Sequence, residues 1–370
     1  MTNRSTSESP YHWIRQRDTM IDTNGCAPSV SIIVPCRNEK EHIEVCLRSL
    51  LAQEPPPGGF EVIVADGMSI DGTRNLLTRL ADEDSRLRVV DNPGQITPCG
   101  MNVGICAARG RYIAIMGAHT EYAPDYVRRC VELLEAHPEV CCAGGPIISR
   151  GKSAFGRAVA MAMSHPVGVG NAKHRFPHYE GYAEGACFPM FRRKTFDTVG
   201  LYDEQLVRNQ DDDFNYRLAR SGGRVFISPL ARCVYYVRET PTRLFRQYFQ
   251  YGYWRVAVLK KHHLPASVRQ LIPVLFFSLI LAILIGSLWL HGWWRLLGAM
   301  LPIGYVAILL TAGAGVAVRQ EIRIGLLFPV ATAMMHIAYA GGFILGLVHR
   351  RRQQTARASE PKGGFYASRA

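Results

Sequence analysis

No G-x-G-x-x-G follows the first strand-like segment, and no G-x-x-x-x-G-K-[ST] occurs in the 370 residues. The first absence weighs against a dinucleotide-dependent dehydrogenase, the second against a P-loop enzyme. None of the ten cysteines, all between Cys26 and Cys233, forms a C-x-x-C pair, so a zinc ribbon is not suggested. Met1 to Pro28 is polar and lacks an apolar core, so a cleavable signal peptide is not expected. The soluble part is then expected in a reducing cytosol. There most cysteines, Cys141 and Cys142 among them, read as small buried apolar residues.

Charge is also missing where it matters most. Residues 271–290, 296–318 and 324–348 contain no Asp, Glu, Lys or Arg. A bilayer span takes ~20 apolar residues, and a charge at its centre costs at least ~2.5–3.5 kcal/mol. Three spans are therefore expected. A buried helical core is the alternative, but three such stretches in series leave no amphipathic face for water.

Acidic residues are few: 30 Asp and Glu face 43 Lys and Arg, for a net charge of +13. Nucleic-acid binding is one reading of such an excess. The distribution argues for another. Ten of the basic residues and one acid, Glu239, fall between Arg220 and Gln270, directly before the first apolar stretch. A basic block there is drawn to anionic lipid headgroups, at ~1 kcal/mol per residue. Residues 242–259 carry Leu244, Phe245, Tyr248, Phe249, Val256 and Leu259 on one helical side, which suggests a helix lying in the membrane interface.

Residues 30–147 alternate strand-like and helix-like pieces. Strands are expected at 30–34, 60–65, 87–90, 112–116 and 140–148. Helices are expected at 39–52, after Asp71, across 98–108 and from Pro124. This rhythm implies an α/β fold with a mostly parallel sheet covered on both faces. Ligands bind such sheets at the carboxyl ends of the strands. Unusual polar residues cluster there: Pro35-Cys-Arg-Asn-Glu39, Asp66-Gly-Met-Ser69 and Gly117-Ala-His-Thr120. Residues 151–200, rich in Gly and Met, resist assignment.

Four segments carry a resemblance to a known family. They are Ser31-Ile-Ile-Val-Pro-Cys-Arg-Asn-Glu39, Val62-Ile-Val-Ala-Asp66-Gly-Met-Ser-Ile-Asp71-Gly-Thr73, Asn102-Val-Gly-Ile-Cys-Ala-Ala-Arg-Gly110 and Gln210-Asp-Asp-Asp-Phe-Asn-Tyr-Arg217. In order and spacing they resemble the signatures of family 2 inverting glycosyltransferases, across about residues 29–255. Within that family, Asn209-Gln-Asp-Asp and Gln247-Tyr-Phe-Gln-Tyr-Gly-Tyr-Trp254 are similar to bacterial succinoglycan-type glucosyltransferases. The resemblance implies a GT-A fold, a UDP-sugar donor and a polyprenyl-linked glycan acceptor in exopolysaccharide assembly.

It also implies roles. Pro35, Arg37, Asn38, Glu39, Asp66 and Asn102 would bind the donor nucleotide. Asp211 would be the general base. Its acidic neighbours should raise its pKa, which suits a base near neutral pH. Gln250, Trp254 and Arg255 resemble an acceptor-binding Q-x-x-R-W motif, although Tyr253 stands where Arg is expected. Gly117-Ala-His119 occupies the place of a metal-binding D-x-D motif and departs from it. Imidazole suits softer transition ions, so Mn²⁺ is expected over Mg²⁺, with His119 as ligand. Asp71 reads as a helix cap.

The expected organisation is a polar extension over 1–28, the GT-A domain over 29–240 and the interfacial helix over 241–265. A membrane domain over 266–348 and a basic disordered tail over 349–370 follow. The protein is expected at the inner (plasma) membrane, multi-pass, with its catalytic domain cytoplasmic. A nucleotidyltransferase and an inactive membrane scaffold are the rival readings.

Overall fold

The structure, a computed structural model, describes residues 27–118, 120–263, 268–286 and 293–359. Its core is four parallel strands: β1 (Val30–Cys36), β2 (Phe60–Asp66), β3 (Leu87–Asp91) and β4 (Tyr112–Ile115), side by side as β3-β2-β1-β4. Every residue of β2 is buried, as a strand covered on both faces requires. The covering helices are α1 (Ile43–Leu51), α2 (Thr73–Glu83) and α3 (Thr97–Ala107). After β5 (Thr120–Tyr122) comes α4 (Tyr126–Ala136). Leu47 of α1, Leu77 of α2 and Val127 of α4 fill one face of the sheet, and Val103 of α3 fills the other.

Where one strand was expected over 140–148, the chain makes two: β6 (Val140–Gly145) and β7 (Ile147–Arg150). Gly145 explains the break. A Cβ there would sit 1.6 Å from the Ala231 carbonyl oxygen, and Pro146 then removes a ladder donor. The chain changes sheets at this point. Residues 151–200 fold as α5 (Ala154–Ala162), α6 (Pro166–Val169), a 3-10 turn at Lys173–Arg175, β8 (Gly181–Ala183), β9 (Cys187–Arg192) and α7 (Lys194–Val199). Then come α8 (Gln210–Arg220), β10 (Arg224–Ile227) and β11 (Cys233–Tyr236). The main sheet is completed as β3-β2-β1-β4-β9-β6-β10-β8, and β5-β11-β7 form a small second sheet. Because β9 runs antiparallel to both β4 and β6, the sheet is mixed beyond β4.

The remaining helices are α9 (Pro241–His262), α10 (Ile272–Gly286), α11 (Trp293–Arg319) and α12 (Ile322–Ser359). Among the described residues, two helical segments are long and apolar enough to cross a membrane, Gly298–Arg319 and Ile322–His349. The described α10 has 15 residues, or roughly 22 Å at 1.5 Å per residue, short of the ~30 Å of a hydrocarbon core. The last four residues of the first expected span, 287–290, lie outside the described residues; the other two expected spans fall in the two candidate helices. On α11, Met300, Ile303 and Leu310 are 58–65% exposed. Apolar surface on that scale is covered by something other than water. The helix α12 also runs eleven residues past Val348, into the stretch expected to be disordered. Arg350-Arg-Arg-Gln-Gln-Thr-Ala-Arg-Ala358 is rich in good helix formers, and cations favour a helix C-terminus.

The amphipathic α9 is packed against protein and does not simply lie in an interface. It runs along α12 with backbones in near contact. A Cβ on Gly252 would meet the Tyr339 carbonyl oxygen at 2.0 Å, and one on Gly342 would meet that of Phe249 at 2.0 Å. The helix α5 joins the same core through Ala158, Val159 and Ala162 against Phe328 and Met335 of α12. The α5 part of the unassigned 151–200 segment therefore belongs to the joint between the sheet domain and the apolar helices. Gly252→Ala should lose roughly 1–3 kcal/mol by overpacking. Gly304→Ala, with nothing within 4 Å of its Cβ, should be neutral or slightly stabilising through helix propensity. Thermal unfolding of both variants in detergent checks the pair.

Candidate active site

The strands β1, β2 and β3 end level. Cys36 lies beside Asp66, and Asp66 beside Asp91. Asp66 is fully buried. Its carboxylate accepts from Ser69 Oγ at 2.6 Å and from Arg74 Nη1 at 3.2 Å, and Arg74 also pairs with Asp91. Asp66 has no basic neighbour in sequence. The structure supplies one from the first turn of α2.

The loop after β1 is laced to the loop after β2. The Asn38 amide donates to Ser69 Oγ at 2.9 Å, and Asn38 Oδ1 accepts from the Ile70 amide at 3.0 Å. The Glu39 amide donates to Thr73 Oγ1 at 2.9 Å. Asp71 accepts from the Thr73 amide and hydroxyl and from the Lys40 amide, which is the expected structural role. Arg37 crosses Gly67 and donates to the Gln95 carbonyl at 3.2 Å, leaving the side chain otherwise exposed. Pro35, Arg37, Asn38, Glu39 and Asp66 are thus brought together at one rim.

Asn102 is not at that rim. It is buried, and its amide donates to the Tyr202 carbonyl at 2.9 Å and to Glu204 at 2.7 Å. Its oxygen accepts from the Tyr202 amide at 2.9 Å. A side chain so engaged clamps the 202–204 loop and does not read a nucleotide. That loop leads into α8, and Tyr202 stacks on Phe214 of α8 at 4.6 Å. Asn102 therefore positions the acidic end of the site.

That end is the first turn of α8. Asn209, in the left-handed region at φ 60°, starts the helix and donates to the Tyr251 carbonyl of α9 at 3.1 Å. Asp212 pairs with the mostly buried Arg255 at 2.7 Å. Asp211 is exposed to water at its tip, and Cys187, Tyr202 and Tyr251 lie within electrostatic reach of it. Partial desolvation and the Asp212 charge push its carboxyl up to about 6. Arg255 and the Asp212 amide, donating to Asp211 Oδ1 at 2.9 Å, act in the other direction. A carboxylate so placed can take a proton from a hydroxyl near neutral pH.

The two ends meet across the start of β9. A Cβ on Gly117 would touch Phe188 at 2.9 Å, and Cys187 stands within electrostatic reach of Asp211 and Asp212. Phe188 sits at φ 51°, a genuine outlier for a bulky residue. Asn38, Met68 and Asn209 also have positive φ. Such strain concentrates at functional sites. The sequence Gly185-Ala-Cys-Phe-Pro189 puts no glycine at the strained position itself and carries no signal of it.

Gln250, half-buried, and Arg255 lie on α9 with Asp212 as the partner of the latter. Trp254 packs with Leu206, Ala257 and Val258, so the protein itself occupies part of its surface. His119 lies outside the described residues. Gly117 and Ala118 offer no ligating side chain, and no group of three His, Cys, Asp or Glu among the described residues could hold a metal ion.

Comparison with known proteins places this geometry in context. A family model described as Glycosyl transferase family 2 matches residues 31–200. The succinoglycan biosynthesis protein ExoA of Rhizobium meliloti is 34% identical over 331 residues, which is 87% of this chain and 96% of that protein. The dolichyl N-acetyl-alpha-D-glucosaminyl phosphate 3-beta-D-2,3-diacetamido-2,3-dideoxy-beta-D-glucuronosyltransferase of Methanococcus voltae is 24% identical, over 86% of this chain and 97% of that one. Among solved structures, a mannosyltransferase from Pyrobaculum calidifontis in complex with GDP-Man and Mn²⁺ matches with TM-score 0.54 at 18% identity. It covers 88% of this chain and 93% of that one, a likeness of fold.

Proposed function

The chain belongs to glycosyl transferase family 2, and from that premise we propose an inverting hexosyltransferase acting on a membrane-borne acceptor. It moves a sugar from a UDP donor to a polyprenyl-linked glycan during exopolysaccharide assembly. The observation that carries this reading is Asp211, raised to about 6 beside the Asp212–Arg255 pair in the first turn of α8. The acceptor hydroxyl attacks the anomeric carbon and its proton passes to Asp211. The bond to the diphosphate oxygen breaks, and the electron pair leaves with the diphosphate. Asp66, Arg37 and the 35–39 loop hold the nucleotide, while Gln250 and Arg255 face the acceptor.

The sheet domain works at the cytosolic side of the plasma membrane. Two crossing helices would return Arg350-Arg-Arg352 to that side, in keeping with the positive-inside rule. A divalent ion, Mn²⁺ over Mg²⁺, enters with the donor diphosphate, and His119 is the one ligating side chain in the 117–119 sequence.

The test is transfer by detergent-purified full-length protein, over a panel of nucleotide sugars with Mn²⁺ or Mg²⁺ and polyprenyl-linked acceptors. Turnover of one donor supports the reading. Pyrophosphate release in place of transfer supports a nucleotidyltransferase, and no turnover by folded protein supports a scaffold. In the same assay His119→Ala should raise the Mn²⁺ concentration for half-maximal rate at least about tenfold. An unchanged titration removes His119 from the metal site.

A further inference from the structure

Arg175 belongs to no motif and has no role in the site as built so far. It ends the short 3-10 turn that follows α5 and α6. Its Nη1 is buried without a hydrogen-bond partner, and no carboxylate lies within ion-pair distance of it among the described residues. Cys187 and the phenols of Tyr235, Tyr248 and Tyr251 lie within electrostatic reach of it. Cys187 and Tyr251 in turn adjoin Asp211. Across the same site, Nε and Nη1 of Arg255 are also buried and unpartnered, although its Nη2 holds Asp212.

Two guanidinium groups with unmet donors therefore flank the proposed base. Arg175 as a whole is half-buried, but a buried donor without a partner is expensive, and removing it should not destabilise the free protein. Burial, with the Arg175 and Arg269 cations beside it, pushes His174 down to about 3, so this neighbour adds no further charge at neutral pH. The chain thus keeps three guanidinium nitrogens with unmet donors, one on Arg175 and two on Arg255, in the region of Asp211. Planar guanidinium forks match phosphate oxygens.

We propose that Arg175 and Arg255 form a subsite for a diphosphate group, and that it receives the diphosphate of the lipid-linked acceptor. The assignment rests on the transferase reading. Its position favours the acceptor over the donor. Arg255 is on α9, packed along the apolar α12, and Arg175 follows α5 and α6, which pack on α12 as well. The nucleotide rim at Asp66 is built on other elements, at the ends of β1 and β2. An acceptor anchored here would present its sugar hydroxyl to Asp211 from the membrane side.

The experiment uses full-length protein in detergent, with farnesyl diphosphate and UDP as separate probes. Wild type is compared with Arg175→Met and Arg175→Lys, by binding isotherms and by melting temperature without ligand. The expected result is that Arg175→Met weakens farnesyl diphosphate binding by about 10- to 100-fold, with UDP affinity unchanged. Arg175→Lys should recover part of the loss. The unliganded Arg175→Met protein should melt at or above wild type. An unchanged farnesyl diphosphate affinity, or an equal loss of UDP affinity, overturns the acceptor subsite. So does a lower melting temperature without ligand, which assigns Arg175 to the fold. Wild type that binds UDP but not farnesyl diphosphate sinks this subsite and leaves the transferase reading standing. Wild type that binds neither sinks both.

Discussion

Asp211→Asn should cut transfer by ~10²–10⁴-fold while leaving UDP binding within about twofold of wild type. General-base catalysis contributes ~10²–10⁴-fold, so the rate should fall by that range with the fold intact. Asparagine keeps the size of the side chain and can still accept from the Asp212 amide, but it cannot take a proton. The pH profile is the second readout. The base works only when ionised, so kcat/KM should rise with pH through about 6, the value to which burial and Asp212 push Asp211. In Asp211→Asn the residual rate should lose this acid limb. A variant that keeps both the rate and the limb would remove Asp211 from the reaction and direct attention to Asp212. Arg255→Met separates the two further. Without the cation that holds its carboxyl down, Asp211 should titrate higher, and the acid limb should move up in pH.

The largest stability effect is expected at Asp213, two residues on. Its side chain is fully buried and accepts from Arg217 at 3.0 Å, Lys261 at 2.7 Å and His262 at 2.7 Å. Lys261 also reaches Asp203 at 2.6 Å. One carboxylate thus ties α8 to the C-terminal turn of α9. Asp213→Ala leaves these cations facing each other around a void. Breaking a buried pair in this way costs about 3–5 kcal/mol, and chemical denaturation in detergent should show a loss of that size. Asp213→Ala combined with Lys261→Met should lose less than the sum of the two single losses, because the partners share the network.

The pH dependence has a definite sign. Burial alone would raise the Asp213 carboxyl. The hydrogen bonds from Lys261 and His262 and the charge of Arg217 outweigh it, so the carboxyl lies below its ordinary value. A depressed carboxyl stabilises the fold fully above its unfolded value, ~3.9. That contribution is lost as pH falls through the lower folded value. Wild type should therefore lose stability in acid more steeply than Asp213→Ala.

Much of this site is legible in the sequence because its parts are local. An apolar strand followed at once by Pro35-Cys-Arg-Asn-Glu39, or by Asp66-Gly-Met-Ser69, needs only strand burial and the rule that such sheets bind ligands at their carboxyl ends. The α1 to α4 rhythm follows from period alone, as do the charge-free stretches. Asp211 stands in an acidic run at the start of a readable helix. Even the Asp213–Arg217 pair is readable as an i, i+4 contact.

What tertiary structure alone decided are the contacts between segments far apart in sequence. Nothing near Asn102 marks it as the clamp of a loop one hundred residues away. The pairing of Asp212 with Arg255, and of Asp213 with Lys261 and His262, exists only because the fold lays α9 beside α8, and Gly252 and Gly342 let the same α9 touch α12 backbone to backbone. The break at Gly145 is forced by a carbonyl that arrives from residue 231. Arg175 is an unremarkable basic residue in an unassigned segment until the fold brings it within electrostatic reach of Cys187 and Tyr251. Sequence period reports what one element hides from water. It does not report which other element does the hiding. In this protein that second choice places two arginines beside the acidic turn of α8 and joins the sheet domain to the apolar helices.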